Sequence, residues 1–237
     1  MRKFINRIAK FISGGLRYRA VMFWHFLSKG HAFARQRIRR FYRENKIKKI
    51  TLGCGEFPVP GWLNADIISG DICYDAAEKS PFPSDSVDFV FTEQFIEHLS
   101  YHDAIFHLKE VVRILKKGGV LRLSTPDLEK LIAFYMGTNP DATRERVFKT
   151  HFNPQFYKPA ETDPTACKVV NDFFRAWGHQ FVYDYETLHK LLVRAGFTDV
   201  KRVVWGRSEY KELCGLEMHD KEAWAKTGLH LFLEATK

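Results

Sequence analysis

The chain has 237 residues, 45% of them hydrophobic, enough to bury a sizeable core in one α/β domain with an appendage and one active site. Its four cysteines, Cys54, Cys73, Cys167 and Cys214, form no C-x-x-C pair; this signals neither a zinc ribbon nor a disulfide framework and suits a reducing, cytoplasmic compartment. The formal charge of +9 is lopsided: residues 1–49 hold fifteen Lys/Arg against the single acid Glu44, leaving 22 basic and 27 acidic residues beyond, so no basic nucleic-acid groove is expected through the main domain.

In chain order the first feature is a basic arm, residues 1–46. Phe4, Ile5, Ile8, Phe11, Ile12 and Leu16 recur at helical spacing among Arg2, Lys3, Arg7 and Lys10, and a second apolar run, AVMFWHFL, follows at residues 20–27. This predicts a basic amphipathic helical arm. No apolar stretch approaches the roughly 20 residues of a membrane span, and no small-residue cleavage site follows a signal-like core. Two readings stay open: a peripheral anchor to an anionic membrane surface, such as the inner face of a cell membrane, and a helix packed on its own domain or on a second subunit. An organelle presequence is a third, weakened by the poverty in serine.

Residues 47–237 form the main domain, where short apolar strands alternate with helices. Strands are predicted at residues 50–52, 63–67, 72–76 and 87–92, each reading as a buried parallel strand. Ile105, Leu108, Val111, Val112 and Leu115 mark a helix over 101–116, stopped by Gly118-Gly119. VLRLSTPD then gives a fifth strand running into a turn. From about 137 to 180 the periodicity is lost in a run rich in Pro, Asn, Thr and aromatics, predicted to be an irregular lid or binding loop. A helix over 185–195 closed by Gly196, a strand over 200–205 and a terminal strand in LHLFLEATK complete the pattern. Such alternation predicts a doubly wound sheet with ligands at the carboxyl ends of its strands.

The turn after the first strand reads LGCGEFPVPGW. Gly53 and Gly55 let a ligand approach the backbone, yet Pro58 and Pro60 oppose the helix whose N-terminus would hold a pyrophosphate, and no Lys-Ser/Thr follows. A cofactor without phosphate is expected, and S-adenosylmethionine qualifies. Asp66, ending the second strand, would accept from its ribose hydroxyls; Asp75, followed by Ala76, would accept from the adenine amine.

Four segments in order, LGCGEFPVPGWLNAD, SPFPSDSVDFVFTEQFIEHL, EVVRILKKGGVLRLSTPD and GHQFVYDYETLHKLLVRAGF, resemble those of class I S-adenosylmethionine-dependent methyltransferases, in particular a bacterial group of the type 11 kind. The resemblance runs from Ile50 to about Thr125 and from Gly178 to Lys237, and does not extend to the lid. It implies a Rossmann-like, seven-stranded doubly wound sheet with the last strand antiparallel, and Gly53, Cys54, Gly55, Asp66 and Asp75 around the cofactor. It also implies that Glu93 faces the methionine end or the reacting methyl; many relatives carry a small residue there.

Methyl transfer to a hydroxyl requires loss of a proton near neutral pH, a task suited to histidine. His179, where the lid rejoins the sheet, and His98, expected to begin the helix behind the fourth strand and face the cleft, are the candidate bases; either can equally be a framework residue. His98 and His102 lie one helical turn apart, but no third ligand and no H-E-x-x-H order accompany them, so no metal site is expected. In the lid, His151, Asn153, Gln155 and Tyr157 either contact acceptor hydroxyls or hold the loop together, and Phe152, Phe156 and Phe173 either stack on a ring substrate or pack the lid down. The expected activity is methylation of a hydroxyl or carboxyl of a small metabolite, a saccharide or lipid-linked glycan being favoured by the polar, aromatic lid and the membrane-prone arm. The alternatives are a nucleic-acid methyltransferase that uses the arm to hold phosphates, disfavoured by TEQF where an Asn/Asp-Pro-Pro-aromatic signature would stand, and a non-catalytic cofactor-binding module docked on a membrane.

Overall fold

A computed structural model describes residues 31–67, 69–152, 157, 162–218 and 227–237. Both apolar runs of the arm, at 4–16 and 20–27, lie outside these residues. The described part of the arm is helix α1, His31–Glu44. Its buried Ala34 and Ile38, one turn apart, join the main core, with Phe41 and Tyr42 half-buried against it. The Tyr42 hydroxyl lies 2.8 Å from Ser86 Oγ, and Arg37 Nη1 donates to the Asp71 carbonyl at 2.9 Å. Residues 31–44, on the arm side of the expected boundary at 46, are therefore packed on the domain.

The strands are β1 Lys49–Leu52, β2 Leu63–Asp66, β3 Ile72–Cys73, β4 Val87–Glu93, β5 Leu115–Pro126, β6 Val200–Arg202 and β7 His230–Thr236. They form one seven-stranded sheet in the order β3-β2-β1-β4-β5-β7-β6. The pairings through β5 are parallel, and β7 runs antiparallel to both β5 and β6, as the sequence implies. Because side chains alternate along a strand, Ile50, Leu52, Leu121 and Leu123 face one side, where helices α2 (Tyr101–Ile114) and, further along the chain, Tyr185–Ala195 supply Leu108, Val111, Leu188 and Leu192. On the other side Phe91 and Val120 meet Val59, Trp62, Leu213 and Leu216. Irregular chain and the short 3-10 turn Lys211–Leu213 do there what a crossover helix does elsewhere.

Several boundaries depart from expectation. Helix α2 ends at Ile114 because Leu115 already pairs with Val87, while the amides of Asp85 and Ser86 donate to the Arg113 and Ile114 carbonyls at the helix end. The third and sixth strands are shorter than predicted. The largest difference is the lid. Helices α3 (Leu128–Met136), α4 (Arg144–His151) and α5 (Ala166–Arg175), capped by Asp127, Thr143 and Thr165, account for much of 128–175. They bury Leu131, Phe134, Val147, Val169 and Phe173 in a second core, so the expected irregular insertion is a helical layer packed on itself. Helix α6, Tyr185–Ala195, has the expected limits: Asp184 Oδ1 caps its start, accepting from Thr187 N at 2.7 Å, and Gly196 at φ 114° ends it.

Candidate active site

The turn after β1 contains no helix, and the reason is local. Asn64 Oδ1 accepts from Val59 N at 2.7 Å while its Nδ2 donates to the Val59 and Trp62 carbonyls at 3.2 and 3.1 Å. A buried asparagine thus satisfies the backbone of the Pro-containing loop, and Trp62 fastens it to the sheet beside Phe91, ring centroids 6.3 Å apart. Asp66 closes the other side of the turn: Oδ2 accepts from Gly55 N at 3.0 Å and Oδ1 from Ser69 N at 3.1 Å. A Cβ at Gly55 would have no atom within 4 Å, so the turn presents open backbone, and residues 53–62 hold Glu56 but no Lys or Arg. These residues fit a phosphate-free nucleoside. Asp75 follows β3, its Oδ1 accepting from Ala77 N at 2.9 Å beside the buried Ala76.

Cys54 is buried, and its thiol is pushed up to about 11, chiefly by desolvation and then by Asp66, so it is no nucleophile at neutral pH. Gly53 serves a neighbour as well as a ligand: a Cβ on it would lie 2.1 Å from the ring of Phe95. Phe95 is a residue that sequence reasoning passed over, because its partner is 42 positions away. Glu93 Oε2 accepts from Met218 N at 2.9 Å, which ties the segment after the 3-10 turn Lys211–Leu213 to the carboxyl end of β4.

The two candidate bases are brought together, with a third group unforeseen. His98 closes a 3-10 turn, Ile96–His98, rather than beginning α2, whose N-cap is Ser100. The lid returns across this turn: the amides of Gln180 and Phe181 donate to the Glu97 carbonyl at 2.7 and 3.2 Å, and Gln180 Nε2 to the His98 carbonyl at 2.5 Å. Trp177 and Gly178, both at positive φ (52° and 83°), turn the chain just before His179. The His98 and His179 rings consequently meet edge to face, centroids 4.9 Å apart. His179 Nδ1 lies 2.7 Å from the Phe173 carbonyl, which only accepts, so Nδ1 carries the proton and Nε2 the lone pair. Burial holds the His179 pKa below its usual value, which keeps the ring neutral at pH 7.

Glu97 is fully buried; Oε2 accepts from Thr125 Oγ1 at 3.0 Å, and Oε1 has no hydrogen-bond partner among the described residues. Desolvation pushes its carboxyl up to about 8. One ligand atom from each of Glu97, His98 and His179 lies within 4.8 Å of the others. His102, the expected companion of His98, instead lies exposed in the first turn of α2. The Glu-His dipeptide was visible in the sequence, but nothing in it linked Glu97 to a histidine 82 positions later.

The lid candidates are mostly framework. His151 is buried and stacks on Phe173 and His230, and Tyr157 donates to Asp172 Oδ1 at 2.7 Å. Phe173 is core, and Phe152 stacks on Tyr157. Asn153, Gln155 and Phe156 lie outside the described residues. Exposed aromatics near the histidine pair are others: Trp177, whose ring centroid is 5.5 Å from that of His179, and the pair Tyr101 and Phe181 at 5.3 Å.

The strand order, the phosphate-free turn and the acid after β2 define a class of protein, and a family profile described as a methyltransferase domain matches residues 60–123. The match bears out a methyltransferase domain that uses S-adenosylmethionine. No curated protein matches it. Among solved structures it is similar to an S-adenosylmethionine-dependent methyltransferase from Thermotoga maritima (20% identity, 91% of this chain and 98% of that one, TM-score 0.46). It is also similar to one from Archaeoglobus fulgidus (15%, 91% and 98%, 0.46). A third is the Haemonchus contortus phosphoethanolamine N-methyltransferase 2 in complex with phosphomonomethylethanolamine and S-adenosylhomocysteine (14%, 90% of this chain and 54% of that one, 0.45). No helix among the described residues is long and apolar enough to cross a membrane.

Proposed function

We propose that the enzyme methylates a hydroxyl or carboxyl of a small polar acceptor, a saccharide or lipid-linked glycan, at the cytoplasmic face of a membrane. The observation that carries this reading is the group of Glu97, His98 and His179 at the carboxyl edge of the sheet, rimmed by exposed Trp177, Tyr101 and Phe181. Methyl transfer from the bound sulfonium forms a C–O bond with an acceptor lone pair, breaks the C–S bond with its electrons left on sulfur, and releases the acceptor's proton. The chain's own task is to align the acceptor, exclude water and receive that proton. His179 suits the last role, since its neutral ring presents Nε2 while Phe173 holds Nδ1. Aromatic faces beside polar groups suit the mixed surface of a sugar ring. Asp66, Asp75 and the Gly53–Gly55 turn hold the nucleoside end, with Glu93 at the carboxyl end of β4 toward the methionine end.

A time course with methyl-labelled S-adenosylmethionine and a panel of free and lipid-linked glycans tests the assignment. Label is expected in a glycan fraction, falling at least tenfold with His179→Ala. Label in RNA or DNA with none in any glycan would overturn it.

A further inference from the structure

The group formed by Glu97, His98 and His179 contains more than a proton acceptor needs. A base requires one imidazole; here two imidazoles and a carboxylate converge, with one donor atom from each within 4.8 Å of the rest. A divalent cation with bonds of about 2.1 Å holds its donors roughly 3 to 3.5 Å apart, so small side-chain rotations bring all three onto one ion. Three independent features favour this. Glu97 Oε1 is buried without a hydrogen-bond partner among the described residues, while Thr125 fixes Oε2, so the carboxylate is oriented with one oxygen unused. The bond from His179 Nδ1 to the Phe173 carbonyl is the arrangement that orients a metal-bound histidine and leaves Nε2 to the ion. The chain that supplies His179 is clamped to the chain that supplies Glu97 and His98 by three hydrogen bonds, from Gln180 N, Phe181 N and Gln180 Nε2, so the ligands are held before any ion arrives.

We infer that Glu97, His98 and His179 bind one divalent transition-metal cation, whose open positions take oxygens of the methyl acceptor. This was not expected from the sequence, which paired His98 with His102. Two imidazoles with one carboxylate suit Zn2+, Co2+, Fe2+ or Mn2+ better than Mg2+ or Ca2+, which prefer all-oxygen sets. Three protein ligands leave room for two neighbouring oxygens, as on a vicinal diol. This part rests on the function proposed above: a cation there would favour loss of the acceptor's hydroxyl proton to solvent and orient the oxygen lone pair for the methyl. His179 would then act as a ligand and not as the free base.

The test uses the full chain, stripped with EDTA and titrated with Mn2+, Co2+ and Zn2+ by calorimetry, with the visible spectrum of Co2+ as a second readout. One equivalent is expected to bind, with a Co2+ spectrum unlike that of the aqueous ion. Affinity should fall at least tenfold in Glu97→Gln and in His179→Ala, and stay unchanged in His102→Ala. Absence of binding by the unsubstituted chain, or affinity in the two ligand variants equal to that of the unsubstituted chain, would overturn the site; the first criterion holds even if a variant fails to fold. Glycan methylation undiminished in EDTA would overturn the cation's role and leave the acceptor assignment standing. A cation bound at these residues with methylation of nucleic acid alone would support the site and overturn the acceptor.

Discussion

Gly53 sits at φ +72° with the ring of Phe95 against its Cα, so an added methyl group meets both a backbone penalty and a ring 2.1 Å away. Gly53→Ala is expected to destabilise the domain by at least about 2 kcal/mol in urea unfolding, and Phe95→Ala in the same chain should restore part of that loss. Equal stability of the single variant and the parent would refute the contact. His107 gives one part of the pH dependence, and buried His151, whose pKa is also lowered to about 4, gives another. His107 is fully buried, its Nδ1 lies 3.0 Å from the Tyr74 hydroxyl, and burial lowers its pKa from 6.5 to about 4. Between these values the unfolded chain binds the proton and the folded chain does not, so stability present above pH 6.5 is lost as pH falls toward 4. The loss due to this group between pH 6.5 and 5 is on the order of 2 kcal/mol. His107→Gln, which does not titrate in that range, should show a flatter decline over the same interval; identical slopes would exclude His107 as a source.

At the scale of the elements, the segment from Val204 to Glu217, packed on the sheet through Leu213 and Leu216, is tied to it by the polar network of one residue. Arg122, on β5, is 1% exposed and paired in register with Glu234 of β7. Its Nη1 reaches Glu234 at 2.6 Å and the Arg207 carbonyl at 2.9 Å, its Nη2 the Val204 carbonyl at 3.1 Å, and its Nε Glu217 at 2.7 Å. Through Glu217 this network fixes the neighbouring Met218, whose amide meets Glu93. Arg122→Met leaves two buried carboxylates without a cation and is expected to cost about 3 to 5 kcal/mol. Adding Glu217→Gln and Glu234→Gln should recover a substantial part, as compared by denaturant midpoints. An Arg122→Met chain as stable as the parent would show the network to be dispensable.

The elements also show what the sequence could express. Helix α6 was legible to its end residues because a capping Asp184, a regular apolar spacing and Gly196 all agree. Helix α3 was not, since it begins directly at the end of β5 with only Asp127 between, and that acid reads equally as a turn. Helix α5 carries Ala166, Val169 and Phe173 at helical spacing, but Pro, Asn and Thr before it and exposed Phe174 beside it blurred the stripe. In the site, Asp66 and the glycines were legible because they adjoin single strands, whereas Glu97, Phe95 and Arg122 depend on partners brought in from more than 40 residues away.

At the scale of the whole molecule, α1 carries exposed Arg35, Arg39, Arg40 and Arg43 on the face opposite its buried Ala34 and Ile38, continuing the basic arm onto the folded domain. The proposed membrane partner is therefore best tested by flotation of the full chain and of a chain starting at His31, which keeps the helix that packs on the core. Full-length protein is expected to float with vesicles containing anionic lipid and to stay down with neutral vesicles or at high salt. Equal flotation of the two chains would move the contact away from residues 1–30, and no flotation of either would remove the membrane from the account.

We propose that the turn between β1 and β2 holds S-adenosylmethionine through Asp66. Calorimetric titration of that nucleoside into the parent chain and into Asp66→Ala tests it most directly. One site per chain is expected, weakened at least tenfold by the substitution while the fold persists. Unchanged affinity in Asp66→Ala, or a preference of the parent for a dinucleotide over S-adenosylmethionine, would contradict it.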